Sequence, residues 1–185
     1  MSRIPAHARR VFKGILFDVY QWEQELFDGS TTTFEAIRRL PSVQIIATTP
    51  EDGIILLLEE QPFVGEFISV PGGRVERGHG PEESARRELL EELGMTADTW
   101  VPWHTTHHGA TVQSQSHHFI ARCCRRVQPP EQEPGERIHP FAVGLEQFLD
   151  LAADARFRNK GLSDYLLRLR HTPGAVEKLR RKLFD

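Results

Sequence analysis

Three glutamates, Glu88, Glu91 and Glu92, stand three and four residues apart within Pro81 to Leu93. On a helix that spacing puts them on one face. Carboxylates crowded in this way repel one another. A divalent cation with oxygen ligands relieves the repulsion, and Mg²⁺ or Mn²⁺ suits such ligands. Arg87 precedes Glu88, and its planar guanidinium can orient a neighbouring carboxylate. Upstream, Pro71-Gly72-Gly73 is a turn where backbone can approach a metal or ligand closely, because glycine has no side chain. A surface helix with merely solvated glutamates is the plain alternative. Against it stands the order of the parts: strand, glycine pair, helix and a Gly94 stop.

These groups need a frame. Pro81 suits a first helical position, Glu82 and Glu83 suit the positive end of the dipole, and Ala85, Leu89 and Leu93 form an apolar stripe that can pack on a sheet. Upstream, Val11 to Phe17, Val19 to Phe27 and Thr31 to Arg38 are predicted strands, as are Val43 to Thr48, Ile54 to Glu59 and Phe67 to Val70. Downstream, Trp100 to His107, Ser116 to Val127 and Ile138 to Val143 complete the predicted strands. Leu145 to Ala153, Ser163 to Arg170 and Ala175 to Leu183 are predicted helices. Strands fill the first two thirds and helices the end, which points to an α+β class and not to a regular βαβ alternation.

Bulk properties narrow the partners. The chain carries a net charge of -3, so a long nucleic acid is not expected. No stretch is long and apolar enough to span a bilayer, and the basic N-terminus lacks the apolar run of a secretory signal. The two cysteines, Cys123 and Cys124, are adjacent and imply no disulfide framework, which fits a cytoplasmic location. A small anionic substrate remains open, since metal ions and a few arginines can meet its charge locally.

The segment Gly73 to Met95 resembles the Nudix box, with the pattern G-x5-E-x7-R-E-U-x-E-E-x-G-U and U apolar. Gly73, Arg87, Glu88, Leu89, Glu91, Glu92, Gly94 and Met95 all match. The resemblance implies a mixed β-sheet sandwiched between helices and hydrolysis of a nucleoside diphosphate derivative. It implies a Mg²⁺ site, with Mn²⁺ as possible substitute, held by Glu88, Glu91, Glu92 and the Gly72 carbonyl, with Arg87 orienting the cluster. One position departs: the first glutamate of the pattern falls on His79. Glu76, Glu82 or Glu83 can compensate for it electrostatically. A non-hydrolytic nucleotide sensor with the same fold is the alternative that His79 favours.

Asp28-Gly29 followed by Phe34 to Arg39 and Val43 to Ala47, together with the Glu59 to Phe63 stretch, is loosely similar to ADP-ribose pyrophosphatase-like members of the family. That similarity implies an N-terminal strand extension over residues 1–40, a homodimer contact on it, and a catalytic domain over residues 41–185. ADP-ribose or a nucleotide sugar is the favoured substrate. Glu136 is the leading loop candidate for a general base, ahead of Glu133, with a box glutamate as the other choice. Tyr20, Trp22, Arg38 and Arg74 are candidate substrate contacts. Five histidines lie between His104 and His118, but their spacing fits no closed zinc site, so substrate-loop or surface roles rank first.

Overall fold

The computed structural model describes residues 4–109 and 111–185. Period-two runs of branched and aromatic residues form an N-terminal antiparallel ladder, β1 (Arg9–Lys13), β2 (Phe17–Glu25) and β3 (Thr31–Arg39). Then follow β4 (Ser42–Thr48), β5 (Ile54–Gln61), β6 (Gly65–Ser69), α1 (Pro81–Leu93), β7 (Met95–Thr96), β8 (Thr99–His107), β9 (Val112–Gln113), β10 (Gln115–Arg122), β11 (Arg125–Arg126), β12 (Arg137–Val143), α2 (Leu145–Leu151), α3 (Lys160–Arg170) and α4 (Ala175–Phe184).

The central sheet runs β12-β5-β4-β10-β8, with β6 added to β5. The β4–β10 pair is parallel and the others are antiparallel, so the sheet is mixed. Side-chain alternation gives the sheet two apolar faces. Val43, Ile45 and Ala47 of β4, with Ile55 and Leu57 of β5, meet Ala85, Leu89 and Leu93 of α1. Ile46, Ile54 and Leu56 point the other way, against Phe148 and Leu149 of α2, Leu162 and Leu166 of α3, and Leu179 and Leu183 of α4. Each fully buried Val, Ile, Leu or Phe among them contributes about 1.5–3 kcal/mol of transfer free energy. The expected α+β class, with a mixed sheet between helices, is what the chain adopts.

Three expected boundaries shift by three residues or more. The predicted strand Val11 to Phe17 breaks after Lys13, because the chain reverses at Gly14, whose N–H donates to the Phe17 carbonyl at 3.0 Å. The predicted strand Ser116 to Val127 ends at Arg122. There Cys123 takes a left-handed conformation, φ 52°, and turns the chain so that Arg125–Arg126 pairs with Met95–Thr96 instead. Two-residue strands such as β7 and β9 are too short to show a period. Helix α3 starts three residues earlier than expected, at Lys160.

Candidate active site

The site lies where β6, the turn after it and α1 meet. The turn is fastened to β4 by two backbone bonds: Ile45 N–H donates to the Pro71 carbonyl at 2.8 Å and Val43 N–H to the Gly73 carbonyl at 2.9 Å. Gly72 adopts φ 151°, and a Cβ there would overlap the Val43 carbonyl oxygen. A Cβ on Gly73 would occupy the space of the Glu88 carboxylate. The two glycines thus let α1 bring its acids onto the turn.

Glu92 is buried, and its Oε2 accepts the Gly72 N–H at 3.0 Å. The Glu88 side chain is 16% exposed and lies 3.7 Å from Arg87 Nη2. Glu91 is more open, at 44%, and 4.0 Å from Arg87 Nη1. Arg87 is anchored from outside the trio, since its Nη1 donates to Glu76 Oε1 at 2.9 Å. Burial pushes the Glu88 carboxyl up to about 7, with Arg87 opposing. Burial, and then the nearby Glu59 carboxylate, hold Glu92 well above the ordinary carboxylate range. The surrounding cleft, about 950 Å³, is lined by these acids and by Glu59, Gln61, Arg74, Arg77, Glu131, Glu133, Glu136 and Arg158.

The NUDIX domain model matches residues 38–166, most of the chain. The chain belongs to the Nudix family. Over 89 residues it is 34% identical to the ADP-ribose pyrophosphatase of Bacillus subtilis (strain 168), covering 48% of each protein. Over 90 residues it is 31% identical to the methanol dehydrogenase activator of Bacillus methanolicus, covering 48% of this chain and 49% of that protein. These matches span about half the length of the curated relatives. A crystal structure of an ADP compounds hydrolase superposes with a TM-score of 0.74 over 90% of this chain and 91% of that one, at 22% identity, a likeness of fold.

The Nudix helix therefore gathers Glu88, Glu91, Glu92 and Arg87 at one cleft with Gly72, Arg74 and, from the loop before β12, Glu136. Gln61 Nε2 donates to Glu136 Oε1 at 2.9 Å and fixes it there. Tyr20, Trp22 and Arg38 do not line this cleft. Arg38 stacks over the Tyr20 ring, 4.5 Å from its centroid, and Trp22 packs edge-on against Phe34. His79 also stands outside the cleft. It is 44% exposed, 3.9 Å from Glu76 and 3.8 Å from Glu83. Of the proposed compensators, Glu76 is the one that reaches the box machinery, through Arg87.

Sequence reading missed Glu59, which is buried and accepts a hydrogen bond from the Ser69 hydroxyl. The signal was strand parity. Glu59 shares the side of β5 that carries Ile55 and Leu57, the side covered by α1.

The donor set fits a hard divalent cation. Carboxylates are concentrated in one cleft, and Gln44 Oε1 in the same cleft is a buried oxygen with no hydrogen-bond partner among the described residues. Oxygen ligands of this kind suit Mg²⁺. Among the described residues, no three acidic, imidazole or thiol groups converge as a closed metal cage.

Burial of Glu92 and partial burial of Glu88, only partly offset by the Gly72 N–H and Arg87, have a pH consequence. A carboxyl whose folded pKa is raised contributes stability below its ordinary range, and that contribution is lost as pH rises through the folded value. His118 acts oppositely, because burial pushes it down to about 4 from an ordinary 6.5, but its contribution is complete above 6.5. Chelator-treated protein is therefore expected to lose thermal stability as pH rises from 6.5 through about 7 and beyond. Mg²⁺ is expected to raise the melting temperature more at the alkaline end than at 6.5. Scanning calorimetry across that range checks this; a Mg²⁺ effect of constant size refutes it.

Proposed function

We propose that the chain is a pyrophosphohydrolase that cleaves the diphosphate linkage of a nucleoside diphosphate derivative, ADP-ribose or a nucleotide sugar favoured. The observation that carries this is the pair of carboxylates pressed against the Gly72–Gly73 turn, the buried Glu92 and the half-buried Glu88. Glu88, Glu91, Glu92 and the Gly72 carbonyl would hold Mg²⁺ or Mn²⁺, with Gln44 Oε1 as a further oxygen. Such a cation, when bound, neutralises the diphosphate and lowers the pKa of water beside it. Arg87, held by Glu76, fixes the rotamers of Glu88 and Glu91. Arg74 offers a guanidinium to the diphosphate from the turn. Glu136, oriented by Gln61, takes the proton of the attacking water.

The test is a panel of ADP-ribose, nucleotide sugars and nucleoside triphosphates incubated with Mg²⁺ and with Mn²⁺. Release of AMP and ribose 5-phosphate from ADP-ribose is the expected result. Binding without product from any compound supports the sensor reading instead.

We further propose that residues 1–40 form an extension that joins two protomers, as the resemblance of the flanks to ADP-ribose pyrophosphatase-like Nudix proteins implies. Phe12, Ile15, Leu16, Phe17, Phe27 and Phe34 of this region are exposed, more apolar surface than an isolated ladder retains. Tyr20 and Trp22 lie on the same sheet, so a substrate contact from them belongs to the assembled dimer. A monomeric mass by light scattering at high concentration would refute this. The free thiols Cys123 and Cys124 support a cytoplasmic location.

A further inference from the structure

A second cavity, about 450 Å³, opens between the N-terminal sheet and the central sheet, around the β3–β4 connection and the loop from β8 to β10. It adjoins the catalytic cleft, because Leu16, Arg39, Leu40 and Arg77 line both. The two spaces have opposite character. The catalytic cleft is dominated by glutamates, whereas the second cavity gathers Arg38, Arg39, Arg77, His107 and His108 around a single carboxylate, Asp18. Asp18 is already committed, with Arg10 Nη1 3.3 Å from its Oδ2. Arg39 and Arg77 have no carboxylate partner within bonding distance among the described residues. Arg38 is aimed by two bonds, Nη1 to the Tyr20 hydroxyl at 3.0 Å and Nε to Gln113 Oε1 at 2.9 Å, which leave its other amino group uncommitted. Burial, and then Arg39 and His107, hold His108 below its ordinary range, so the fixed positive charge of the cavity is that of its arginines. An arrangement of like charges around an open cavity is stable when an anion enters it.

We propose that this cavity binds a phosphate monoester carried by the substrate at a point remote from the scissile diphosphate. The inference rests on the hydrolase reading above and names a narrower substrate class, nucleotides with an additional phosphate on the nucleoside side. The acidic cleft suits only a diphosphate that arrives with cations. The arginine-lined cavity suits an anion that arrives without them, and guanidinium forks match the oxygens of a phosphate.

The probes are adenosine 5′-monophosphate and adenosine 2′,5′-bisphosphate, titrated into the whole protein with Mg²⁺ present. Neither contains a diphosphate linkage, so the measurement needs no turnover. The bisphosphate is expected to bind at least about tenfold more tightly, an advantage that shrinks as salt rises. Arg38→Gln, which alters a residue of the second cavity alone, is expected to cut that ratio to about one third or less. Arg77→Gln, at an exposed side chain that lines both spaces, is expected to lower it too. Equal affinity of the two nucleotides, or a ratio unchanged in both variants, overturns the proposal. So does equal weakening of both nucleotides in both variants, which would mean that these arginines read the common 5′-phosphate. If the ratio holds but no diphosphate compound is hydrolysed, the hydrolase reading fails while the anion site stands.

Discussion

Glu92→Gln is expected to lower turnover by about 10³-fold, equivalent to about 4 kcal/mol of transition-state stabilisation, while making the metal-free protein more stable at neutral pH. The two effects have one cause. Glu92 is buried, with the Gly72 N–H donating to its Oε2 at 3.0 Å and the Glu59 carboxylate nearby. A glutamine keeps the shape and still accepts the Gly72 N–H through its carbonyl oxygen, but it carries no charge. Metal affinity falls because a carboxylate ligand becomes a neutral one. Stability without metal rises because an ion is no longer forced into a desolvated space beside other carboxylates. The sign follows from the raised folded pKa: wild type loses stability as pH climbs above the ordinary carboxylate range, and the amide does not titrate. The gain in melting temperature should therefore grow with pH and vanish in acid. Wild type should recover it on adding Mg²⁺, and the variant should respond little. Wild-type turnover in the variant would show that Glu92 holds no metal. Lost turnover with a lower metal-free melting temperature at neutral pH would mean that the substitution simply damages the core.

How far this arrangement was legible in the sequence depended on whether a feature is local. The helix was readable to its ends, because Pro81, the acidic first turn and Gly94 each act within a turn of themselves. The three glutamates followed from helical spacing, and the glycine pair from adjacency. Glu136 was readable only as a candidate, since its place depends on Gln61, a residue far away in the chain on β5. Glu59 was overlooked because the polar end of an apolar strand looks solvated. Only the packing of α1 on the same side of β5 decides that it is buried. His79 illustrates the converse. Its position in the pattern marks where this chain departs from the family, and no local signal tells that the loop turns it outward between Glu76 and Glu83. Tyr20 and Arg38 were picked individually for substrate chemistry, and no local signal tells that they stack on each other. The second cavity was the least legible feature, because it exists only where residues from both sheets and the box loop converge.

Gly73→Ala is expected to cut turnover by about 10²-fold with a change in melting temperature of only a few degrees, whereas Gly72→Ala should destabilise the fold itself. The difference lies in what the added methyl group meets. At Gly73 it meets the carboxylate of Glu88, the far end of a flexible side chain, which can swing aside. Gly73 has no positive φ, so alanine is accommodated by the backbone. Swinging aside takes Glu88 off the turn and out of line with Arg87, and displacements near an ångström in a reacting site cost about this much. At Gly72 the methyl group meets the Val43 carbonyl oxygen, backbone of a central strand, and φ of 151° adds strain. That contact cannot yield without loosening the bonds that fasten the turn to β4. The mechanism at Gly73 can be isolated by a double-mutant cycle with Glu88→Gln. If the alanine acts by displacing Glu88, removing that carboxylate's charge in the Gly73→Ala background costs little more. The two losses are then strongly non-additive in turnover. Losses that add would mean that Gly73 serves the reaction through its own backbone, and that Glu88 keeps its place despite the methyl group.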